Sequence, residues 1–147
     1  MQFHRYLNYS FIYEPYMKTV AKALIYDSND NILVLKRSES HPYFAHQDDL
    51  PGGEIEPGED SVTGLTREIL EETGMIIARK SVVFASEVLT KNNGSNQLYT
   101  VRLSIEKPVI DISWEHMSYR WVTSDLIEQN LITADSYMLV VRAWLSK

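Results

Sequence analysis

The segment from Asp49 to Met75 most constrains how this chain can fold, because it places three glutamates in one short stretch soon after a glycine pair. It reads DLPGGEIEPGEDSVTGLTREILEETGM, and its part REILEETG contains Glu68, Glu71 and Glu72. Like charges three or four residues apart weaken a helix by about 0.2–0.5 kcal/mol per pair. A helix that keeps three such carboxylates together, without a nearby lysine, needs a cation to relieve the repulsion.

Helical periodicity places these glutamates at the border of a buried face. At about 100° per residue, Val62, Leu65 and Ile69 form one apolar stripe, and the glutamates form a second stripe beside it. Carboxylates at such a border line the wall of a cleft, whereas the charge pattern alone would also suit a solvated surface. Hard oxygen ligands favour Mg²⁺, with Mn²⁺ as the alternative. Thiolate and imidazole metals are disfavoured, because no cysteine or histidine lies close in sequence.

The composition predicts one acidic domain of ordinary globular type. The 147 residues are 44% hydrophobic and 23% charged, with a net charge of −6. A polymer of DNA or RNA is not expected as a partner, because such contacts require lysine and arginine. The chain has no cysteine, no membrane-length apolar run and no signal-peptide pattern, so we expect a cytoplasmic protein without a membrane partner.

Turn residues and hydrophobic alternation predict a mixed sheet flanked by helices, hence an α/β protein of the α+β type. Strands are predicted at 18–27, 32–37, 97–106 and 118–123, one or two more lie between 75 and 91, and a hairpin turn lies at 92–95. The predicted helices are one from Asp60 or Ser61 to Thr73, one short helix from Thr123 or Ser124, and one at 134–145.

Two further features concern packing and domain organisation. Gly64 lies inside the first predicted helix, where alanine would be better by about 1 kcal/mol, so close packing against a loop is expected there. Residues 18–147 are predicted as a single domain. The tyrosine-rich residues 1–17 form an N-terminal extension of uncertain structure, which could be an edge strand, the contact of a homodimer or an expression artefact.

The spacing that begins at Gly53 resembles the signature of the Nudix hydrolases. Five residues separate Gly53 from Glu59, and seven more precede Arg67. The remaining positions follow directly: Glu68, Ile69, Leu70, Glu71, Glu72, Thr73, Gly74 and Met75. This resemblance covers 23 residues and implies the Nudix fold, a mixed β-sheet sandwiched between α-helices. It also implies a small-molecule nucleotide substrate, a nucleoside diphosphate linked to another group, which is hydrolysed by attack of water on a phosphorus.

The resemblance implies a role for each charged residue of this box. The carbonyl of Gly52 and three carboxylates would bind the metal ion: Glu68, Glu71 and Glu72. Glu68 would also be a candidate general base. Arg67 would pair with Glu59 and fix the loop against the helix, although an ordinary surface ion pair is the alternative.

A further carboxylate is expected outside the box. In the MutT-type members it lies six residues before a tryptophan on a late strand, and Glu115 stands six residues before Trp121. Glu115 is therefore predicted as a metal ligand or an alternative base, with a solvated loop residue as the other reading. Asp48 and Asp49 are weaker candidates for the base. The histidines lack ligand spacing and are predicted as polar surface: His4, His41, His46 and His116.

The same resemblance suggests substrate contacts. Lys36 and Arg37 lie at the position of a phosphate-contacting arginine, and Asp135 lies where MutT-type enzymes have a base-reading asparagine. The alternative for Lys36 and Arg37 is that they are solvated at the end of a strand, and the alternative for Asp135 is that it caps a helix. Three aromatic residues are candidates for stacking on a base, although aromatic residues are commonly core: Tyr43, Phe44 and Tyr137.

The predicted function is Mg²⁺-dependent hydrolysis of a nucleoside triphosphate by a MutT-like pyrophosphohydrolase. Residues 88–94, VLTKNNG, lack the proline of ADP-ribose pyrophosphatases and the tyrosine of dinucleoside-polyphosphate enzymes. A hydrolase of a nucleotide sugar or a dinucleoside polyphosphate is the enzymatic alternative. A non-catalytic Nudix sensor that only binds a nucleotide is the alternative of another class.

Overall fold

One mixed sheet of seven strands organises the described part of the chain, which is residues 18–91 and 93–147 of a computed structural model. The strands are β1 Thr19–Tyr26, β2 Asn31–Arg37, β3 Asp48–Asp49, β4 Gly52–Glu54, β5 Val82–Leu89, β6 Ser95–Arg102 and β7 His116–Thr123. The predicted N-terminal extension, residues 1–17, lies outside the described residues.

Three α-helices accompany the sheet within the same residues: α1 Ser61–Thr73, α2 Ile127–Asn130 and α3 Met138–Leu145. Short 3₁₀ turns lie at Arg79–Ser81 and Ser124–Leu126. None of the helices formed by these residues has the length and apolar composition that a membrane crossing requires.

The central strand β1 changes its partner along its length, and this change determines where the glycine turn lies. On one side β1 pairs in parallel with β6, from Thr19 opposite Ser95 onward. On the other side, its last residue Tyr26 pairs with β2, whereas its first half pairs with β4. Lys22 consequently lies opposite Gly52 in β4. The glycine turn of the sequence motif is thus fixed against the middle of β1.

Apolar side chains fill both faces of the sheet. Leu24 and Val34 belong to a cluster that contains Val140 and Val141 of α3. Alternate residues such as Ile25 belong to a second cluster, together with Leu65 and Ile69 of α1. Each such aliphatic side chain contributes about 1.5–3 kcal/mol when fully buried. The predicted sandwich of a mixed sheet between helices is confirmed.

Helix α1 begins and ends where its sequence indicates. The Asp60 carboxylate accepts a hydrogen bond from the Thr63 N–H at 2.9 Å, which caps the N-terminus. Gly74 adopts a left-handed φ of 75° and its N–H donates to the Leu70 carbonyl, which ends the helix. A Cβ added to Gly64 would lie 2.6 Å from Ile55 Cδ1, so the predicted close packing against a loop is present.

Several element boundaries differ from the predictions for identifiable reasons. Strand β6 ends at Arg102 rather than at residue 106, because it pairs residue for residue with β1, which ends at Tyr26. Helix α3 begins at Met138 rather than at residue 134. The N–H groups of the preceding turn bond locally, with Asp135 donating to Thr133 Oγ1 at 3.2 Å, so the α-helical ladder begins later.

Candidate active site

A cleft of about 620 Å³ lies beside β1 and β4. All three glutamates of the helical motif line it, as do Gly52 and Gly53. Side chains from the ends of β2, β3 and α1 and from the loops before β7 and α3 complete its wall. Segments that are distant in sequence therefore meet around one acidic cavity.

The glycine pair allows the backbone to approach its neighbours closely. Gly52 has a φ of 127°, and a Cβ there would lie 2.1 Å from the carbonyl oxygen of Ala21. A Cβ on Gly53 would lie 2.8 Å from Cδ of Glu68. Side chains at these two positions would displace either strand β1 or the glutamate. The Gly52 N–H also donates a hydrogen bond to Glu72 Oε1 at 2.9 Å, which fixes this carboxylate against the turn.

The three glutamates differ in their exposure to solvent. Glu72 is buried with 3% of its surface exposed, the Glu68 side chain is 20% exposed, and the Glu71 side chain is 57% exposed. Burial raises the pKa of Glu72 well above its usual value. Burial, assisted by the negative charge of Glu71, also raises the pKa of Glu68. The ionised forms are therefore penalised by lost solvation, and a bound cation would offset this penalty.

The donors available in the cleft suit a hard divalent cation. Glu68, Glu72 and Gly52 all line the cleft, and Glu71 adds a more exposed carboxylate. Oxygen-only donor sets of this kind match Mg²⁺ and Mn²⁺. Buried carboxylates with raised pKa values are the feature that such an ion would stabilise, so the residues present fit the metal that the sequence predicts.

Arg67 joins the loop before α1 to the glutamates. Its Nη2 lies 2.7 Å from Glu59 Oε1 and donates to the Glu54 carbonyl at 3.3 Å. Its Nη1 lies 3.1 Å from Glu68 Oε1 and 3.4 Å from Glu71 Oε1. The guanidinium is thus positioned to fix the orientation of two cleft carboxylates relative to the loop.

A buried polar network forms the floor of the cleft. The Lys22 ammonium donates to Asp49 Oδ1 at 2.9 Å, and His116 Nε2 lies 3.0 Å from Asp49 Oδ2 and 3.4 Å from Glu72 Oε2. Burial opposes ionisation of Asp49, but Lys22, His116 and Arg37 together hold the pKa of this carboxyl well below its usual range. Asp49 is therefore an ionised structural partner at the cleft floor.

Arg37 is also part of this network. Its side chain is 3% exposed, its Nη2 lies 3.1 Å from Asp49 Oδ1 and 2.8 Å from Asp135 Oδ2, and its Nη1 donates to the Tyr43 carbonyl at 3.2 Å. Lys36, its neighbour on β2, is half-buried and is not among the described residues that line the cleft. Of the two predicted phosphate contacts, only Arg37 therefore reaches the cavity.

Glu115 and several exposed aromatic residues surround the mouth of the cleft. The Glu115 side chain is 39% exposed, and its Oε2 lies 3.9 Å from His41 Nε2. Trp114, Tyr43 and Phe44 line the cavity while retaining 70%, 63% and 43% exposure. These three rings present apolar faces that a planar ligand could cover.

Some expectations about individual residues are wrong. Tyr137 is fully buried, and its hydroxyl accepts the Leu50 N–H at 3.1 Å, so it cannot stack on a ligand. His116 is 3% exposed and bonded to carboxylates, whereas polar surface was expected. Neither aspartate of β3 is free to act as a base. Asp49 is held in the buried network described above, and Asp48 forms a double ion pair with Arg120 at 2.9 and 3.0 Å.

The sequence reasoning did not identify Lys22, the structural role of His116 or Trp114. For Lys22 a signal exists: the lysine stands in VAKALI, in the middle of an apolar strand, where a charge is buried and requires partners. His116 and Trp114 carry no comparable signal, because only the fold brings them to the cleft.

A family model described as NUDIX domain matches residues 16–145. A protein of Bacillus subtilis (strain 168) described as a putative 8-oxo-dGTP diphosphatase is 41% identical over 54 residues. That match covers 37% of this chain and 33% of the relative, so it spans only about a third of the relative's length.

Solved structures of known proteins share the fold. A crystal structure of the MutT protein from Methanosarcina mazei Go1 superposes with a TM-score of 0.64 at 26% identity, covering 84% of this chain and 90% of that one. A C. elegans Ap4A hydrolase superposes with a TM-score of 0.61 at 21% identity, covering 86% and 98% of the two chains. The second likeness shows the fold alone.

Proposed function

We propose that this chain, which belongs to the NUDIX domain family, is a pyrophosphohydrolase that hydrolyses a nucleoside triphosphate with the help of Mg²⁺. One observation carries the proposal: Glu68, Glu72 and the Gly52 turn line the same cleft, and burial raises the pKa of both carboxyls. Mn²⁺ is the alternative ion for the same donors.

The residues proposed to hold the metal are Gly52 through its carbonyl oxygen and four carboxylates: Glu68, Glu71, Glu72 and Glu115. Bound Mg²⁺ would neutralise phosphate charge and lower the pKa of the attacking water. The protein's own residues then position this chemistry. Glu72 is held by the Gly52 N–H, and Arg67 holds Glu68 and Glu71 while Glu59 holds Arg67.

Glu68 is the proposed general base. Its carboxylate is partly exposed to the cleft, so a water molecule can reach it, and its raised pKa makes it a better proton acceptor than an ordinary surface glutamate. Glu115 is the alternative base, since it also lines the cleft and is partly exposed. The buried Glu72 is a less suitable base, because little of it is accessible to water.

The other side of the cleft is proposed to bind the nucleoside. Trp114, Tyr43 and Phe44 offer rings on which a base can stack. Asp135, held by Arg37 at 2.8 Å, can accept a hydrogen bond from an amino group of a purine. The relative from Bacillus subtilis, described as a putative 8-oxo-dGTP diphosphatase, supports a purine triphosphate as the first substrate to test.

The decisive experiment is a screen of nucleotides with coupled detection of phosphate and pyrophosphate, with and without Mg²⁺. It includes normal and oxidised nucleoside triphosphates, ADP-ribose, dinucleoside polyphosphates and nucleotide sugars, and Glu68→Gln is measured beside the wild type. We expect Mg²⁺-dependent release of pyrophosphate from one purine triphosphate.

Other outcomes of the screen separate the alternatives. Turnover confined to a dinucleoside polyphosphate or a nucleotide sugar would retain the site and overturn the triphosphate assignment. Binding of nucleotides without any product would instead identify a sensor. A cytoplasmic location and a homodimer formed through residues 1–17 stay predictions, and gel filtration of full-length and shortened chains tests the dimer.

A further inference from the structure

Lys22 places a positive charge inside the protein directly beneath the glycine turn. The residue is 4% exposed. Its ammonium group has three hydrogen atoms and three acceptors: Asp49 Oδ1 at 2.9 Å, the Leu50 carbonyl at 3.1 Å and the Gly52 carbonyl at 3.0 Å. Each hydrogen therefore has a partner, and the group is fixed in position rather than mobile.

The ammonium remains charged in this environment. Its Nζ forms a buried ion pair with Asp49 Oδ1 at 2.9 Å, and both side chains are almost fully buried. The ring of Tyr137 adds a further favourable contact, with the ammonium 5.1 Å from its centroid. A fixed cation thus adds to the partners of the buried carboxylates on the cleft floor.

The acceptors of Lys22 include an atom that the metal site would use. Gly52 is the proposed backbone ligand, and its carbonyl oxygen already accepts the Lys22 hydrogen bond. A carbonyl oxygen has two lone pairs, so the Gly52 oxygen can bind a metal ion while it accepts the Lys22 hydrogen bond. The metal ion would then lie close to the ammonium. Two positive centres on one oxygen repel each other strongly at low dielectric.

We propose that Lys22 is a positioning residue that acts as an internal cation, holding the Gly52 turn and weakening metal binding in the substrate-free cleft. This rests on the proposed metal site. Substrate phosphates would then supply the negative charge that completes the site, which agrees with the usual binding of Mg²⁺ by few carboxylates together with substrate phosphates. Metal and nucleotide are expected to bind cooperatively for this reason.

The test measures binding of Mn²⁺ alone to the substrate-free protein by electron paramagnetic resonance, which requires no turnover. Lys22→Met removes the charge while keeping a chain of similar length. We expect its Kd for Mn²⁺ to be at least tenfold lower than that of the wild type. Lys22→Arg keeps the charge and serves as the matched control, with a Kd close to that of the wild type.

A purely structural role predicts the opposite change. If Lys22 only supports the turn, Lys22→Met would loosen Gly52 and raise the Kd for Mn²⁺. An unchanged or raised Kd in a folded neutral variant would overturn the proposal. Lys22→Gln, which can keep one hydrogen bond, replaces Lys22→Met if that variant does not fold, and the same tenfold decrease is expected.

The experiment also separates this inference from the proposed function. Mg²⁺-dependent turnover in the nucleotide screen, with an unchanged Kd for Mn²⁺ in the neutral variants, would overturn the role of Lys22 alone. Failure of wild type and all Lys22 variants to bind Mn²⁺ at millimolar concentration, together with no turnover in the nucleotide screen, would overturn both.

Discussion

Arg67 and Glu59 pair through two hydrogen bonds, with Nη2 2.7 Å from Oε1 and Nε 3.3 Å from Oε2. The same Oε1 accepts the N–H of Glu56 at 2.8 Å, so Glu59 is held by both the helix and the loop before it. Because Arg67 also contacts Glu68, the orientation of a proposed metal ligand depends on where Glu59 lies.

Gly64→Ala tests this dependence. The added methyl group would lie 2.7 Å from Glu59 Oε1, so Glu59 must move away from its present position. We expect kcat to fall by about tenfold or more, since small misplacements at a catalytic site are costly. Kinetics with the substrate found by the screen measures the change.

The stability of the same variant supplies the second readout. Helix propensity alone would make Gly64→Ala more stable by about 1 kcal/mol. We expect the gain to be absent because of the crowding at Glu59 and Ile55. Thr66→Ala is the control, since it raises helix propensity in α1 and adds no atoms. A more stable Gly64→Ala with unchanged kcat would contradict the argument.

Glu68→Gln should abolish most of the activity without unfolding the protein. The amide cannot accept the proton of the attacking water and is a weaker metal ligand, so we expect kcat to fall by about 10²–10⁴-fold. The residue is partly exposed, and its melting temperature should stay within a few degrees of the wild type. Glu128→Gln, an exposed change on α2, should have wild-type activity. If Glu68→Gln keeps its turnover, Glu68 is neither ligand nor base.

Mg²⁺ should raise the melting temperature of the wild type. A ligand at ten times its Kd stabilises the native state by about 1.4 kcal/mol. For a chain of this size, that corresponds to about 3–6 °C. The reason is relief of the penalty on buried Glu72 and on Glu68. Differential scanning fluorimetry in EDTA and in millimolar Mg²⁺ measures the shift.

The variant Glu72→Gln provides the control for that shift. It removes a buried carboxylate whose ionised form is penalised, so it should melt higher than the wild type in EDTA at neutral pH and respond less to Mg²⁺. Equal responses of both proteins to Mg²⁺ would place the stabilising ion elsewhere.

Asp27→Asn should show a stability loss that depends on pH. Asp27 is 2% exposed and accepts N–H groups of Asn29, Asn31 and Lys107 at 2.9, 2.8 and 3.1 Å. Although burial opposes it, these bonds hold the pKa of Asp27 below its usual value. The stabilisation is therefore present above the unfolded-state pKa and is lost as the pH falls through the lower folded-state pKa.

The expected cost of Asp27→Asn at pH 7 is about 1–3 kcal/mol, measured by urea unfolding. The difference from the wild type should shrink as the pH falls below about 3.9, where the aspartate of the unfolded chain begins to be protonated. Asp30→Asn is the control, because the Asp30 side chain is 66% exposed and its ion pair lies at the surface. A loss that stays constant between pH 7 and pH 3 would show that the charge of Asp27 is not responsible.

The sequence alone determined the local structure and the chemical character of the site. Asp60 and Gly74 act through neighbouring residues, so the bounds of α1 could be predicted. The spacing of Glu68, Glu71 and Glu72 on one helix fixed their common side, and the glycine pair before the helix indicated close backbone approach. These features depend on contacts within a few residues, or within one helix and the turn before it.

Only the tertiary structure decided how charge is distributed around these glutamates. Lys22, Asp49 and His116 come from three strands and meet at Glu72, although 94 residues separate the first from the last. Likewise, both Trp114 and Tyr137 are aromatic, and only the folded structure shows that Trp114 is exposed in the cleft while Tyr137 is buried in the core. Burial and long-range pairing depend on which strands become neighbours. Here the exchange of partners along β1 brings Gly52 to Lys22, and no local pattern specifies that contact.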